Sequence, residues 1–271
     1  MLGRLPDAVT NARQSITLAD QSGDGAQRMI NRTTAADALH QAGERAEAGY
    51  LFAEAELMQK QWEPKYELLD SVQGFQYCEW LLAPAEQAAW QHVLDQPFST
   101  SSSHISQALA EVDRRAKEPQ RTWKEISTSE PSLLDIALDH LTLARVRLIR
   151  AILEAGHGNS PPTIDLPHVA AAVGGLRTAG TTHMLPFGLL TAALYHFMRG
   201  EQALAKKYLA EAQQIAERGP MPLFLADVHL TRARLFRDPG ELAKAAKLIR
   251  KLGYGRRYDE LADAENAAKG W

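Results

Sequence analysis

One glycine-centred frame recurs along this chain and limits the fold more than any other feature. Gly43 is followed at plus five, nine and twelve by Ala48, Phe52 and Ala55. The same offsets give Ala8, Ala12 and Ser15 after Gly3, and Ala205, Leu209 and Ala212 after Gly200. After Gly240 they give Ala245, Ile249 and Leu252. Seven residues before the glycine stand Ala36, Ala193 and Ala233; four before it stand Leu39, His196 and Phe236. A glycine that adopts positive φ ends one helix at low cost. The residues beyond it, at i, i+4 and i+7, then share a face of a second helix. Small residues at minus seven and plus five let the two helices approach closely. Such a hairpin cannot bury its apolar face alone and must stack on copies of itself.

Composition agrees with helices throughout. Alanine and other helix formers dominate wherever apolar residues recur, and β-branched residues never alternate over a strand-length stretch. The expected class is therefore all-α. Thirty basic against thirty-three acidic residues leave a formal charge of −3, without the basic excess of a nucleic-acid or membrane-surface binder. The single cysteine, Cys78, excludes an intramolecular disulfide framework and fits a reducing compartment. The first residues, "MLGRLPDAVTNARQ", do not read as a signal peptide, and no apolar run approaches the roughly 20 residues that span a bilayer. A cytoplasmic location is expected.

Small–x₂–apolar, a glycine, then Ala–x₃–apolar–x₂–small resembles the tetratricopeptide repeat, a unit of about 34 residues. Forty residues separate Gly3 from Gly43, and Gly200 from Gly240, so the helices or loops here are longer. No copy carries that family's tryptophan at the start of the first helix, or its proline at the end of the second. The resemblance implies a right-handed superhelix, an α-solenoid of about five to six stacked antiparallel pairs, as one domain over 1–271. "QRMINRTTAADALHQAG", "GFQYCEWLLA", "LLDIALDHLTLAR" and "AERGPMPLFLADVHLTRARL" also resemble the C-terminal helical-repeat region of bacterial STAND or NACHT-type signalling NTPases, a likeness running over roughly 1–265.

Between the clear copies the pattern loosens. Residues 68–83 read as a first helix with Gly74 and Tyr77 in register, and 84–103 as an irregular insertion opened by Pro84. Residues 104–118 resume as helix, with Ile105, Leu109, Val112 and Ala116 on one face, and Pro119 is expected to break or kink it with Trp123 packing beyond. A long first helix over 133–156, a loop over 156–167 and a second helix over 168–180 follow, and 257–271 reads as a C-terminal helix and tail. Gly3 leaves no room for an upstream partner helix. The chain is thus expected to open on the second helix of a hairpin, whose exposed face could support self-association.

No motif supplies chemistry. "VGGLRTAG" (173–180) lacks the lysine of a phosphate-binding loop. The nine histidines form no H-E-x-x-H pair, and there is no C-x-x-C. Asp139 and His140 are neighbours on a helix and so point apart. His196 occupies an apolar frame position, where a packed, hydrogen-bonded imidazole is expected, and Cys78 reads as core. No enzyme, cofactor or metal is expected. In tetratricopeptide proteins the first helices line a concave groove for a peptide or a partner's helix. Projecting the frame places Thr33, Asp37, His40, Gln41, Ser71, Glu79, Asp139, Arg145 and Arg234 off the apolar stripe of such helices. The expected function is a protein- or peptide-binding adaptor or scaffold. The alternative is the ligand-sensing region of a larger ATP-dependent signalling protein; an enzyme ranks third.

Overall fold

The computed structural model describes residues 3–98, 100–126, 132–155 and 167–271. Among them the chain is all-α, with no strand. The first half comprises α1 (Leu5–Ser22), α2 (Gly25–Ala42), α3 (Arg45–Trp62), α4 (Ser71–Val93), α5 (Ser102–Ile126) and α6 (Leu133–Glu154). The second comprises α7 (Pro167–Thr178), α8 (Leu185–Met198), α9 (Gln202–Arg218), α10 (Pro222–Phe236), α11 (Pro239–Leu252) and α12 (Tyr258–Ala267), with a 3₁₀ turn at Gly255–Arg257.

The closest helix partners are sequence neighbours: α2 with α3, α6 with α7, α8 with α9 and α10 with α11. The frame residues explain why. Ala36, Ala193 and Ala233 on the first helices, and Ala48, Ala205 and Ala245 on the second, are completely buried, as are Phe52, Leu209 and Ile249. Alanine at the crossing removes the bulk that would hold two helices apart, and the larger residues fill the space beside it. Gly43 (φ +89°) and Gly200 (φ +79°) end α2 and α8 in the left-handed conformation. The next amide, of Glu44 or Glu201, returns to the carbonyl of Leu39 or His196 at 2.9 and 2.8 Å, which pairs an otherwise orphaned helix end.

Two copies of the frame differ from the expectation. At the last hairpin the left-handed residue is Arg237 (φ +51°), and Gly240 lies inside the first turn of α11. There Asp238 caps the amides of Gly240 and Glu241 at 2.8 and 3.1 Å, doing at a helix start what the glycine was expected to do at a helix end. At the first copy Ala8 is exposed, and α1 buries Leu5, Val9, Ala12 and Ala19 instead. This stripe packs with residues of α2 and α3, while Leu5 joins Leu223 of α10 and Leu242 of α11.

The two internal prolines also correct the expectation. Residues 84–93 are the second half of α4, which runs through Pro84, so the connection before α5 begins only at Leu94. Proline removes the amide that would bond the carbonyl of Trp80. Here the Arg45 guanidinium of α3 donates to that carbonyl at 3.0 Å, and Trp80 Nε1 donates back to the Arg45 carbonyl at 3.0 Å. The guanidinium also lies 4.6 Å from the Trp80 ring centroid, so the freed acceptor is satisfied from the neighbouring hairpin. Helix α5 likewise continues through Pro119 to Ile126. The side chain of Trp123 and most of the expected 156–167 loop lie outside the described residues; Pro167, the last residue of that span, opens α7.

Burial sorts the helices into an inner and an outer set. Helix α9 buries one stripe, Ala205, Leu209, Ala212 and Ala216. Helix α6 buries residues around most of its circumference, every position from Leu141 to Val146 among them, and so must be covered on several sides. Successive inner helices touch, α2 to α4, α4 to α6, α6 to α8 and α8 to α10, and α10 reaches back to α4. The residues after α11 turn inward onto this row. The 3₁₀ turn contacts α2, and α12 contacts α4, where Gln87 and Gln91 both donate to Asp263 Oδ2 at 2.9 Å.

Candidate functional site

The inner helices and the inturned C-terminal segment enclose a network of opposite charges. On α4, Glu79 and Glu86 are seven residues apart and share a face; on α10, Asp227 and Arg234 stand in the same relation. Arg145 reaches them from α6, and the C-terminal segment adds Tyr254, Arg256, Arg257 and Glu260. Arg145 pairs with Glu79 and lies 3.1 Å from Glu86. Arg256 is 3.1 Å from Glu79 and 3.3 Å from Glu86. Arg257 Nε donates to Asp227 at 2.7 Å and Nη1 pairs with Glu260. Arg234 meets Glu260 at 2.6 Å and lies 3.6 Å from the Trp90 ring centroid. Tyr254 donates its hydroxyl to Asp227 at 3.0 Å.

Four carboxylates thus face four guanidiniums, and except for Glu86, at 15%, none of these side chains is more than 10% exposed. Burial penalises every charge, so such a network holds only if the charges balance. The individual groups follow that balance. Burial alone would lower Arg257, but Asp227, Glu260 and Glu86 carry it above the usual guanidinium value. Arg145 is lowered to about 9 by burial and by Arg256 and Arg257 beside it, and so stays protonated at neutral pH. Glu260 is held below the carboxylate range by Arg257 and Arg234 against the opposing effect of burial.

Two of the cavities that adjoin the network share part of their walls. The smaller, about 60 Å³, lies among Glu79, Glu86, Arg145, Asp227, Arg234 and Arg257, with Trp90 and Phe187 in its wall. The larger, about 230 Å³, is bounded by α1, α2, α4, α8 and α10 together with Tyr254, and shares Glu79, Asp227 and Phe187 with the first.

Of the residues singled out from sequence, Glu79, Arg145 and Arg234 come together in the network, and Asp37 and Gln41 line the larger cavity. Thr33 is fully buried and donates to the Ile30 carbonyl of its own helix at 2.9 Å. Ser71 bonds Asp135 at 2.5 Å, and neither it nor Asp139 lines either cavity. Sequence reasoning missed Glu86, Asp227, Tyr254, Arg256, Arg257 and Glu260. The i+7 pairs on α4 and α10 are a usable signal; the dense "GRRYDE" (255–260) straddles the start, at residue 257, of the expected C-terminal helix and tail.

His40, 2% exposed, sits where α2 meets the C-terminal turn, and neither ring nitrogen has a hydrogen-bond partner. Burial lowers its pKa well below 6.5, reinforced by Arg256, Arg45, Arg257 and Arg145. Because the folded state refuses a proton that the unfolded chain accepts, this group's contribution is complete above about pH 6.5 and is lost as pH falls below it. Urea unfolding at pH 7.5 and 5.5 is expected to show lower stability at pH 5.5, with a smaller drop in a His40→Gln chain.

The remaining chemistry-bearing side chains are absorbed by packing. Cys78 is buried and its thiol pushed up to about 12 by burial. His196 is stacked on Tyr208 and hydrogen-bonded to Glu201 at 2.5 Å. His140 meets His168 at 2.8 Å. Among the described residues no cluster of three or more His, Cys, Asp or Glu side chains could hold a metal ion, and no helix is long and apolar enough to cross a membrane. Comparison of the chain with protein-family models, curated proteins and solved structures found no match.

Proposed function

We propose that this chain is a polypeptide-binding module of tetratricopeptide-like, solenoidal build. It acts as an adaptor or scaffold, and its inner helix face recognises a segment carrying adjacent arginines. One observation carries the reading: Glu79, Glu86 and Asp227, from two inner helices, already grip Arg256 and Arg257 of a segment more than twenty residues beyond Asp227. Bidentate and multiply shared guanidinium–carboxylate contacts are the recurrent chemistry of such recognition. The C-terminal turn would then be an internal occupant of the site, and a partner with a similar segment would displace it.

A fluorescein-labelled peptide of residues 252–264 tests this by anisotropy. It is expected to bind a Gly255→Ala chain, whose own turn is dislodged, at least tenfold tighter than the unaltered chain. The same peptide with both arginines replaced by glutamate should not bind. Failure of the arginine peptide to bind the Gly255→Ala chain, with its turn shown by hydrogen exchange to be released, would remove the reading.

A further inference from the structure

The larger cavity has a chemistry of its own, and neither Arg256 nor Arg257 lines it. Its wall includes three aromatic rings set edge to face: Phe75 against Phe187 at 5.3 Å and Phe187 against Phe224 at 4.7 Å between centroids. Three carboxylates also border it, and they are not equivalent. Glu79 is neutralised by Arg145 and Arg256, and Asp227 by Arg257 and the Tyr254 hydroxyl. Asp37 instead accepts from two neutral amides, Gln41 at 2.9 Å and Gln76 at 3.5 Å. Among the described residues no cation stands within ion-pair distance of it. Burial accordingly raises its pKa, opposed by the Gln41 hydrogen bond and, less, by the charges of Arg256 and the chain's N-terminal amine. At about 230 Å³, against roughly 30 Å³ for a water molecule in the liquid, the space exceeds a single-water site. Exposed Ala8 and Thr34 stand at its rim.

We infer that this cavity is a binding site for a small organic ammonium with an apolar, preferably aromatic body, and that Asp37 is its counter-ion. The ammonium supplies the positive charge that the two amides do not, and gains further from the electron-rich faces of neighbouring rings. The apolar body is buried against Phe75, Phe187 and Phe224, at roughly 25 cal/mol for each Å² removed from water. A neutral ligand of the same shape keeps the second contribution and loses the first. An anion is repelled by the charge of Asp37, which the two amides leave unneutralised.

Titration calorimetry with phenethylamine, 2-phenylethanol and 3-phenylpropionate separates these cases. Phenethylamine is expected to bind at least tenfold tighter than 2-phenylethanol, and 3-phenylpropionate weakest. Asp37→Asn keeps the shape and one acceptor oxygen, and it faces the other glutamine with an amide from which that glutamine, once flipped, can accept. It should bring the amine to the affinity of the alcohol. Thr34→Trp changes an exposed rim residue that the fold does not need. It should weaken the amine at least tenfold, and so keeps the test valid if the Asp37 variant is poorly folded. Equal affinity for amine and alcohol, no binding by any of the three, or amine binding unchanged in both variants would overturn the assignment.

Discussion

Replacing Arg257 with alanine is expected to lower stability by about 3–5 kcal/mol, the range for breaking a buried ion pair by removing one partner. Arg257 is the cation most shared in the network: it bonds Asp227 and Glu260 and lies 3.5 Å from Glu86. Its own side chain is 9% exposed, and those of Asp227 and Glu260 are 7% and 6%. Removing it leaves four carboxylates against three guanidiniums, and none of the four is more than 15% exposed. The loss should therefore exceed that of an exposed pair such as Arg13 with Glu47, 52% and 42% exposed, whose attraction water and salt largely screen. Urea unfolding of Arg257→Ala, Arg13→Ala and unaltered chains measures both. A double-mutant cycle with Glu260→Ala should return a coupling of about 0.5–3 kcal/mol. Equal losses from the two arginine variants would mean that the network contributes no more than the surface.

How much of this was legible beforehand depended on how local the cause was. The hairpins were readable because Ala36, Ala48, Phe52 and Gly43 act on one another within a few turns of chain, where spacing fixes which residues share a face. Pro84 misled because its freed carbonyl is satisfied by Arg45, nearly forty positions away; local propensity has no access to such a donor. The candidate site divided along the same line. Glu79, Arg145 and Arg234 could be named because they sit off the apolar stripe of inner helices. Their being charged suggested a solvated face, however, whereas each is less than 10% exposed. What buries them is the return of residues 254–260, a tertiary event that leaves no periodic mark. The substitution of Arg237 and Asp238 for a helix-ending glycine at Gly240 shows the limit within a single hairpin: two different capping chemistries serve one geometry.

The return of the C-terminal segment depends on a contact so close that one methyl group should undo it. Gly255 lies against the end of α2, where an added Cβ would stand 2.1 Å from the Ala42 carbonyl oxygen and 2.6 Å from its carbon. Gly43, the next residue, belongs to the same contact: its Cα lies 3.0 Å from that Cβ position, and its own Cβ position is 3.0 Å from the Gly255 backbone. Both colliding surfaces are main chain, one of them the last turn of a packed helix, so neither yields as the tip of a side chain would. Gly255→Ala is expected to cost about 1–3 kcal/mol or somewhat more, the range for overpacking, and to spend it locally. The 3₁₀ turn and α12 should lift from α2 and α4, taking Arg256, Arg257 and Glu260 out of the network. The charges left on α4, α6 and α10 then meet water, which limits the loss relative to Arg257→Ala, where they stay enclosed and unbalanced. Hydrogen exchange should accordingly show lost protection across residues 254–267, while α8 and α9, whose mutual core does not involve this segment, keep theirs. Gly270→Ala is the matched control, since nothing lies within 4 Å of its Cβ position, and it should change neither stability nor exchange. Unaltered protection of residues 254–267 in the Gly255→Ala chain would show that α2 and the C-terminal turn can separate slightly without releasing the arginines, and the segment would then be a fixed part of the core, not a displaceable occupant.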